Sequence, residues 1–158
     1  MREIVVILHN IRSLHNVGSV LRTADGAGAK KIYMTGYTPQ PCDELGRVRP
    51  EIKKTALGAE SAVSWEAVKN PRSLIARLKK EGFAIVALEK TPAAADYRTY
   101  IPAKKIALVV GNEVRGISPA LLSKVDSIIS LPMRGKKESL NVSVACGVAL
   151  YYLTGSPT

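Results

Sequence analysis

An α/β fold with a mainly parallel sheet is predicted by three observations. Short β-branched apolar runs alternate along the chain with segments of helical spacing. The first run, Glu3 to Leu8, has the character of a buried strand. The chain has 158 residues, 46% of them apolar, which fits one domain spanning 1–158 with a sizeable core. No internal repeat or linker interrupts it.

The elements follow in order. After Glu3–Leu8, Asn16 is placed to cap a helix running to about Ala29, with Val17, Val20, Leu21 and Ala24 on its apolar side. Gly26 and Gly28 weaken its end. Ile32–Thr35 is a second strand. A long polar stretch follows, punctuated by Gly36, Pro39, Pro41, Gly46 and Pro50; loops of this kind are functional or mobile. Asn70-Pro71 opens a helix with Leu74, Ile75 and Leu78 on one face, and Gly82 ends it. Phe83–Leu88 and Lys105–Val110 are strands, Pro119 starts a short helix to Lys124, and Ser127–Leu131 is a strand. From Leu140 to Leu153 the pattern is helical and apolar almost all round, so this helix is expected to be buried, in part against another subunit. Ligands of parallel sheets bind beyond the carboxyl ends of strands, here the segments after Leu88, Val110 and Leu131.

The formal net charge of +10 points to a polyanionic partner, either nucleic acid or an anionic membrane surface, against the plainer reading of a soluble basic protein. The N-terminal apolar run is too short for a signal-peptide core, and no stretch approaches the ~18 residues of a membrane span. A cytoplasmic protein is expected. Cys42 and Cys146 lie far apart without CxxC spacing, so neither a disulfide framework nor a cysteine zinc site is expected. One Trp and one Phe give little support for an extended base-stacking platform.

Two nucleotide-binding motifs fail. Gly26-Ala27-Gly28-Ala29-Lys30-Lys31 ends in Lys and lies at the end of a helix. Gly111-Asn112-Glu113-Val114-Arg115-Gly116 has phosphate-loop spacing, but Ile117-Ser118 follows where Lys-Ser/Thr is needed. His9 and His15 lack metal-type partners, and no metal is expected.

Three polar segments remain. They are Asn10 to Gly18 with Arg22, Gly111 to Gly116, and Leu131-Pro132-Met133-Arg134-Gly135 leading to Ser139-Leu140-Asn141-Val142-Ser143-Val144-Ala145. Taken singly, each has a plain explanation. Asn16 and Asn141 serve as helix caps, Glu113 and Arg22 as a surface ion pair, and Ser139 as a turn residue.

Taken together and in this order, the three segments resemble the SpoU/TrmH branch of the SPOUT methyltransferases, over nearly the whole chain. The resemblance implies methylation of a ribose 2′-hydroxyl in RNA. It also implies a C-terminal trefoil knot, S-adenosyl-L-methionine bound in that knot, and a homodimer. Backbone and side chains at Leu88, Glu89, Gly111, Leu131, Met133, Ser139, Leu140 and Ala145 are then expected to hold the cofactor.

Arg22 matches the arginine given the catalytic role. A guanidinium, with a pKa above ~12, suits phosphate orientation and alkoxide stabilisation better than proton removal. Glu113 is the available carboxylate, to accept the proton or to hold Arg22. Asn16, Ser139 and Asn141 match the remaining polar positions and are expected to place the ribose, Arg22 or the first loop.

Of the loop cations, which include Arg47, Arg49, Lys53 and Lys54, RNA contacts are expected chiefly from Arg12, Arg115, Arg134, Lys136 and Lys137. The length leaves no room for an added RNA-binding domain, so a second subunit is the expected source of further RNA surface. It also resembles the minimal relatives that methylate a tRNA anticodon-loop ribose, which favours tRNA over rRNA. The competing readings are a non-catalytic RNA-binding module on the same scaffold and a SPOUT base methyltransferase. The retained set Arg22, Glu113, Ser139 and Asn141 argues against the first, and Asn16 with Arg22 against the second.

Overall fold

A computed structural model describes residues 1–155. Seven strands form one sheet in the order β3-β2-β1-β6-β4-β7-β5, and every pairing is parallel. They are β1 (Glu3–His9), β2 (Lys31–Thr35), β3 (Ser64–Ala67), β4 (Ala84–Leu88), β5 (Ala95–Asp96), β6 (Lys105–Val110) and β7 (Ser127–Ser130). The helices are α1 (Leu14–Ala27), α2 (Pro50–Ala56), α3 (Ala59–Ala62), α4 (Pro71–Lys80), α5 (Pro119–Leu122) and α6 (Val142–Thr154).

The central strands are apolar throughout because both sheet faces are covered. Ile4, Val6 and Leu8 of β1 pack with Val17, Val20 and Leu21 of α1, Ile52 of α2, and Cys146, Ala149 and Leu150 of α6. The alternate residues Val5 and Ile7 pack on the other face with Leu74, Ile75 and Leu78 of α4 and Leu121 of α5. Burial holds Cys146 as an inert thiol, its pKa pushed up to about 12. Both cysteines are free.

α1 begins earlier than the sequence reading placed it. Ser13, not Asn16, is the cap: its side chain accepts from the Asn16 N–H at 3.2 Å. Ser13 satisfies an N-terminal donor, which leaves the Asn16 side chain free to reach another loop. Gly28, in the left-handed region with φ 77°, ends the helix. Asn70 and Asn141 are caps as read, each accepting from backbone N–H groups of its own first turn.

The polar stretch after β2 is more structured than expected. Pro50 opens α2, and α3 and β3 follow before residue 68. These elements are short, and β3 is an edge strand without buried residues, so no periodic signal marked them. In the remaining loop, Asp43 accepts from the Leu45 and Arg47 N–H groups and pairs with the Arg47 guanidinium. Close helix packing explains Gly18 of α1: a Cβ there would meet Thr55 Oγ1 and stand 2.5 Å from Ile52 O.

β7 lies between β4 and β5, although residues 89–94 join those two strands directly. From β7 the chain returns through 131–141 to α6, which packs against α1, β1 and β6. α6 is not buried all round: Val144, Val148 and Tyr151 are 52%, 39% and 58% exposed.

Candidate active site

A cleft of about 270 Å³ opens where β4, β6 and β7 end. This is where a parallel sheet offers its ligand site. Leu88, Val110, Leu131, Met133, Leu140 and Val142 supply apolar surface, and the loops after the three strands bring backbone polar groups beside it. All eight residues expected to hold a cofactor line it: Leu88, Glu89, Gly111, Leu131, Met133, Ser139, Leu140 and Ala145. An apolar wall beside backbone donors and acceptors fits an adenosine-like group.

Two residues shape the middle loop. Gly111 lets it fold tightly on itself, since a Cβ there would stand 2.6 Å from Ile117 Cγ1 and 2.8 Å from the Gly116 carbonyl carbon. The Glu89 carboxylate accepts from the Ile117 N–H at 2.8 Å and the Lys90 N–H at 2.9 Å. Glu89 thus ties the loop after β4 to the loop after β6. Gly116, with φ 66°, leaves no room for a side chain beside that carboxylate.

Glu113 joins the first and second motifs. Its carboxylate accepts from the backbone N–H groups of Arg12 (3.0 and 3.1 Å to the two oxygens) and Ser13 (3.1 Å), and from Asn16 Nδ2 (3.2 Å). Burial resists ionisation of this carboxyl, but these donors outweigh it and hold it below the usual carboxylate range. Asn16 Oδ1 in turn accepts from Asn141 Nδ2 at 3.2 Å, which connects the third motif. The expected contact between Glu113 and Arg22 is not formed; the loop amides occupy the carboxylate instead.

Of the polar candidates, Glu113 and Ser139 line the cleft, and Asn16 and Asn141 reach it through Glu113. Arg22 stands exposed on α1 outside the cleft, and makes no salt bridge or side-chain hydrogen bond among the described residues. Arg134, Lys136 and Lys137 are exposed on the connection that bounds the cleft. Asn112 had no assigned role, yet it ties the loops together. Its amide donates to Asn10 O and to the Tyr37 hydroxyl, both at 2.9 Å, while Oδ1 accepts from Val114 and Arg115 N–H groups. Its place between Gly111 and Glu113 was the available signal; Tyr37 carried none.

Six cations have a salt-bridge partner among the described residues, Arg47 with Asp43 and Arg98 with Asp96 among them. Lys31 and Arg77 pair with Glu66, Lys105 with Glu3, and Lys79 with Asp126, at or near the amino-terminal ends of strands. Arg12, Arg115, Arg134, Lys136 and Lys137, at the carboxyl end, have no salt-bridge partner among the described residues. Also among those residues, no helix is long and apolar enough to cross a membrane.

Fold and cleft define an α/β protein with an open cleft, of a shape and lining suited to a nucleoside-type group, at the carboxyl edge of a parallel sheet. The chain belongs to the SpoU rRNA Methylase family, whose profile it matches over residues 3–151. It is 33% identical over 150 residues to the tRNA (guanosine(18)-2′-O)-methyltransferase of Aquifex aeolicus, covering 95% of this chain and 68% of that one. It is 34% identical over 152 residues to the 23S rRNA (guanosine-2′-O-)-methyltransferase RlmB of Coxiella burnetii, covering 94% and 56%. The chain therefore spans little more than half the length of that ribosomal RNA enzyme.

Solved structures agree. The Aquifex aeolicus TrmH/SpoU tRNA modifying enzyme superposes with TM-score 0.83 at 30% identity, over 98% of this chain and 75% of that one. The AdoMet-bound rRNA methyltransferase of Sinorhizobium meliloti gives TM-score 0.86 at 29% identity, over 96% and 55%.

Proposed function

We propose that this protein transfers a methyl group from S-adenosylmethionine to a ribose 2′-hydroxyl of RNA. The observation that carries the reading is the cleft itself. It gathers all eight residues expected at the cofactor and adjoins the Glu113–Asn16–Asn141 network. Family membership and relatives named as guanosine 2′-O-methyltransferases support it.

When bound, the cofactor supplies a methyl group already activated by its sulfonium charge and departs as the neutral thioether, so the protein's task is to align the ribose oxygen, whose proton passes to solvent water. The residues divide that work. Leu131, Met133 and Leu140 take the flat adenine, and the tight loop at Gly111 presents backbone polar groups beside it. Glu113 holds the Arg12–Asn16 segment in place, and the donors that occupy its carboxylate make it an anchor rather than a base. Ser139, exposed at the cleft, is free to contact the ribose. The Arg22 guanidinium serves to orient a phosphate and stabilise the developing oxygen charge. Arg12, Arg115, Arg134, Lys136 and Lys137 supply phosphate contacts.

The working unit in this reading is a homodimer. Thr23 of α1 and Ser143, Val144, Gly147, Val148 and Tyr151 of α6 form an exposed, largely apolar recess suited to a second copy. Arg22 lies one helical turn before Gly26, which faces the Tyr151 hydroxyl, so such pairing brings the α1 surface that carries it toward the partner. A trefoil knot is part of the same reading, on membership of the family alone. Transfer RNA is the preferred substrate, on likeness to the Aquifex tRNA enzyme, of which the chain covers the larger share.

The test supplies methyl-labelled S-adenosylmethionine with total tRNA and, separately, with ribosomal RNA. Label in a 2′-O-methyl nucleoside is expected. Label on a base would replace the reading with a base methyltransferase, and cofactor binding without transfer would replace it with a binding module.

A further inference from the structure

Beside the cleft lies a second, open recess of about 580 Å³, bounded by Ile11, Arg12, Tyr37, Asn112, Val114 and Arg115. Asn112 and Val114 border both spaces, so the two adjoin. Tyr37 is 58% exposed.

The ring is clamped at both ends. Its backbone N–H donates to Asn10 Oδ1 at 3.1 Å, and its hydroxyl accepts from Asn112 Nδ2 at 2.9 Å. Asn112 is itself 7% exposed and is fixed by the Val114 and Arg115 amides. Asn10, with φ 55°, stands in the left-handed region, and Gly36 leaves room for its side chain. These contacts fix the ring while leaving it largely exposed.

Two exposed arginines, Arg12 and Arg115, border the same recess, without a salt-bridge partner among the described residues. Their backbone positions are set by Glu113 and Asn112 in turn. A fixed aromatic ring that shares a recess with free guanidinium groups fits an unpaired nucleobase and its phosphates. An apolar peptide would leave both cations unmatched.

We propose that Tyr37 stacks an unpaired base of the RNA next to the nucleotide in the cleft, with Arg12 and Arg115 holding the adjoining phosphates. The Asn112 clamp fixes the ring before RNA arrives, which reduces the ordering cost of binding. The proposal deepens the RNA reading above and rests on it. One ring is a single stacking position, consistent with a chain poor in Trp and Phe.

The test uses the full chain and a fluorescein-labelled single-stranded RNA decamer carrying 5-iodouridine. Light-induced cross-linking is expected to map to the peptide containing Tyr37. Tyr37→Ala should weaken decamer binding by roughly tenfold or more, while Tyr37→Phe, which keeps the ring but loses the Asn112 clamp, should fall between Tyr37→Ala and wild type. Arg12→Ala and Arg115→Ala should each lower the salt slope of binding by about 0.7 to 1, and Tyr37→Ala should leave it unchanged. Should Tyr37→Ala fail to fold by circular dichroism, Tyr37→Leu carries the same comparison. Cross-links elsewhere, or equal affinity without the ring, would overturn the proposal. Methyl transfer is measured on the same samples, so loss of the transferase reading is seen separately from loss of stacking.

Discussion

Asn16 and Glu113 are 97 residues apart in the chain, yet Asn16 Nδ2 donates to Glu113 Oε1 at 3.2 Å. With the Arg12 and Ser13 amides on the same carboxylate, one ionised group holds the start of α1 against the loop after β6. The two motifs form one unit, and its integrity depends on a charge.

That charge has a pH signature. Burial opposes ionisation of Glu113, but the surrounding donors leave its pKa below the ordinary 4.5. The anchoring therefore strengthens folding fully above about pH 4.5 and is lost as pH falls through the lowered folded value. Glu113→Gln should destabilise the protein by ~1 kcal/mol at neutral pH, and the gap to wild type should close in acid. Urea denaturation of both proteins at pH 7 and pH 3 measures this; a gap independent of pH would mean the carboxylate does not act through its charge.

Arg22 offers the opposite case. It is exposed and makes no side-chain hydrogen bond or salt bridge among the described residues, so Arg22→Ala should change stability by less than ~0.5 kcal/mol. Methyl transfer should nonetheless be abolished, with S-adenosylmethionine affinity largely intact by calorimetry. Near-normal turnover would remove Arg22 from the mechanism.

Two glycines are required by space. Gly111→Ala drives a Cβ against Ile117 and the Gly116 backbone, and Gly18→Ala against Thr55 and Ile52 O. Each should cost about 1–3 kcal/mol on thermal denaturation. Only Gly111→Ala should also weaken cofactor binding in the folded fraction, because Gly18 sits between α1 and α2, away from the cleft.

The exposed face of α6 provides a test of assembly. Val144 and Tyr151 are 52% and 58% exposed, on a helix whose sequence is apolar almost all round. Light scattering should show a dimer for the wild type and a monomer for Val144→Asp with Tyr151→Asp, which places charge in the contact. A wild-type monomer at working concentration would assign this face no partner copy.

Much of the architecture was legible because strong local patterns dictated it. Lys105–Val110 is a strand over the residues read, and Asn70-Pro71 and Asn141 open their helices as caps. The lining of the cleft was legible for a different reason. Its residues cluster in ordered motifs after strands, and a parallel sheet brings such segments to one edge. α2, α3 and β3 were not legible, since each is too short to establish a period.

By itself the sequence determined the alternation of strands and helices, the apolar strands that require cover on both faces, and the motifs that carry the family resemblance. Tertiary structure alone decided the partners. It put Ser13 at the cap and so released Asn16 toward Glu113. It gave Glu113 to backbone amides instead of to Arg22, and it set Tyr37 under the Asn112 side chain. The physical reason is common to all three. A hydrogen bond forms with whichever group the packed sheet places within about 3 Å, and sequence separation does not enter that choice.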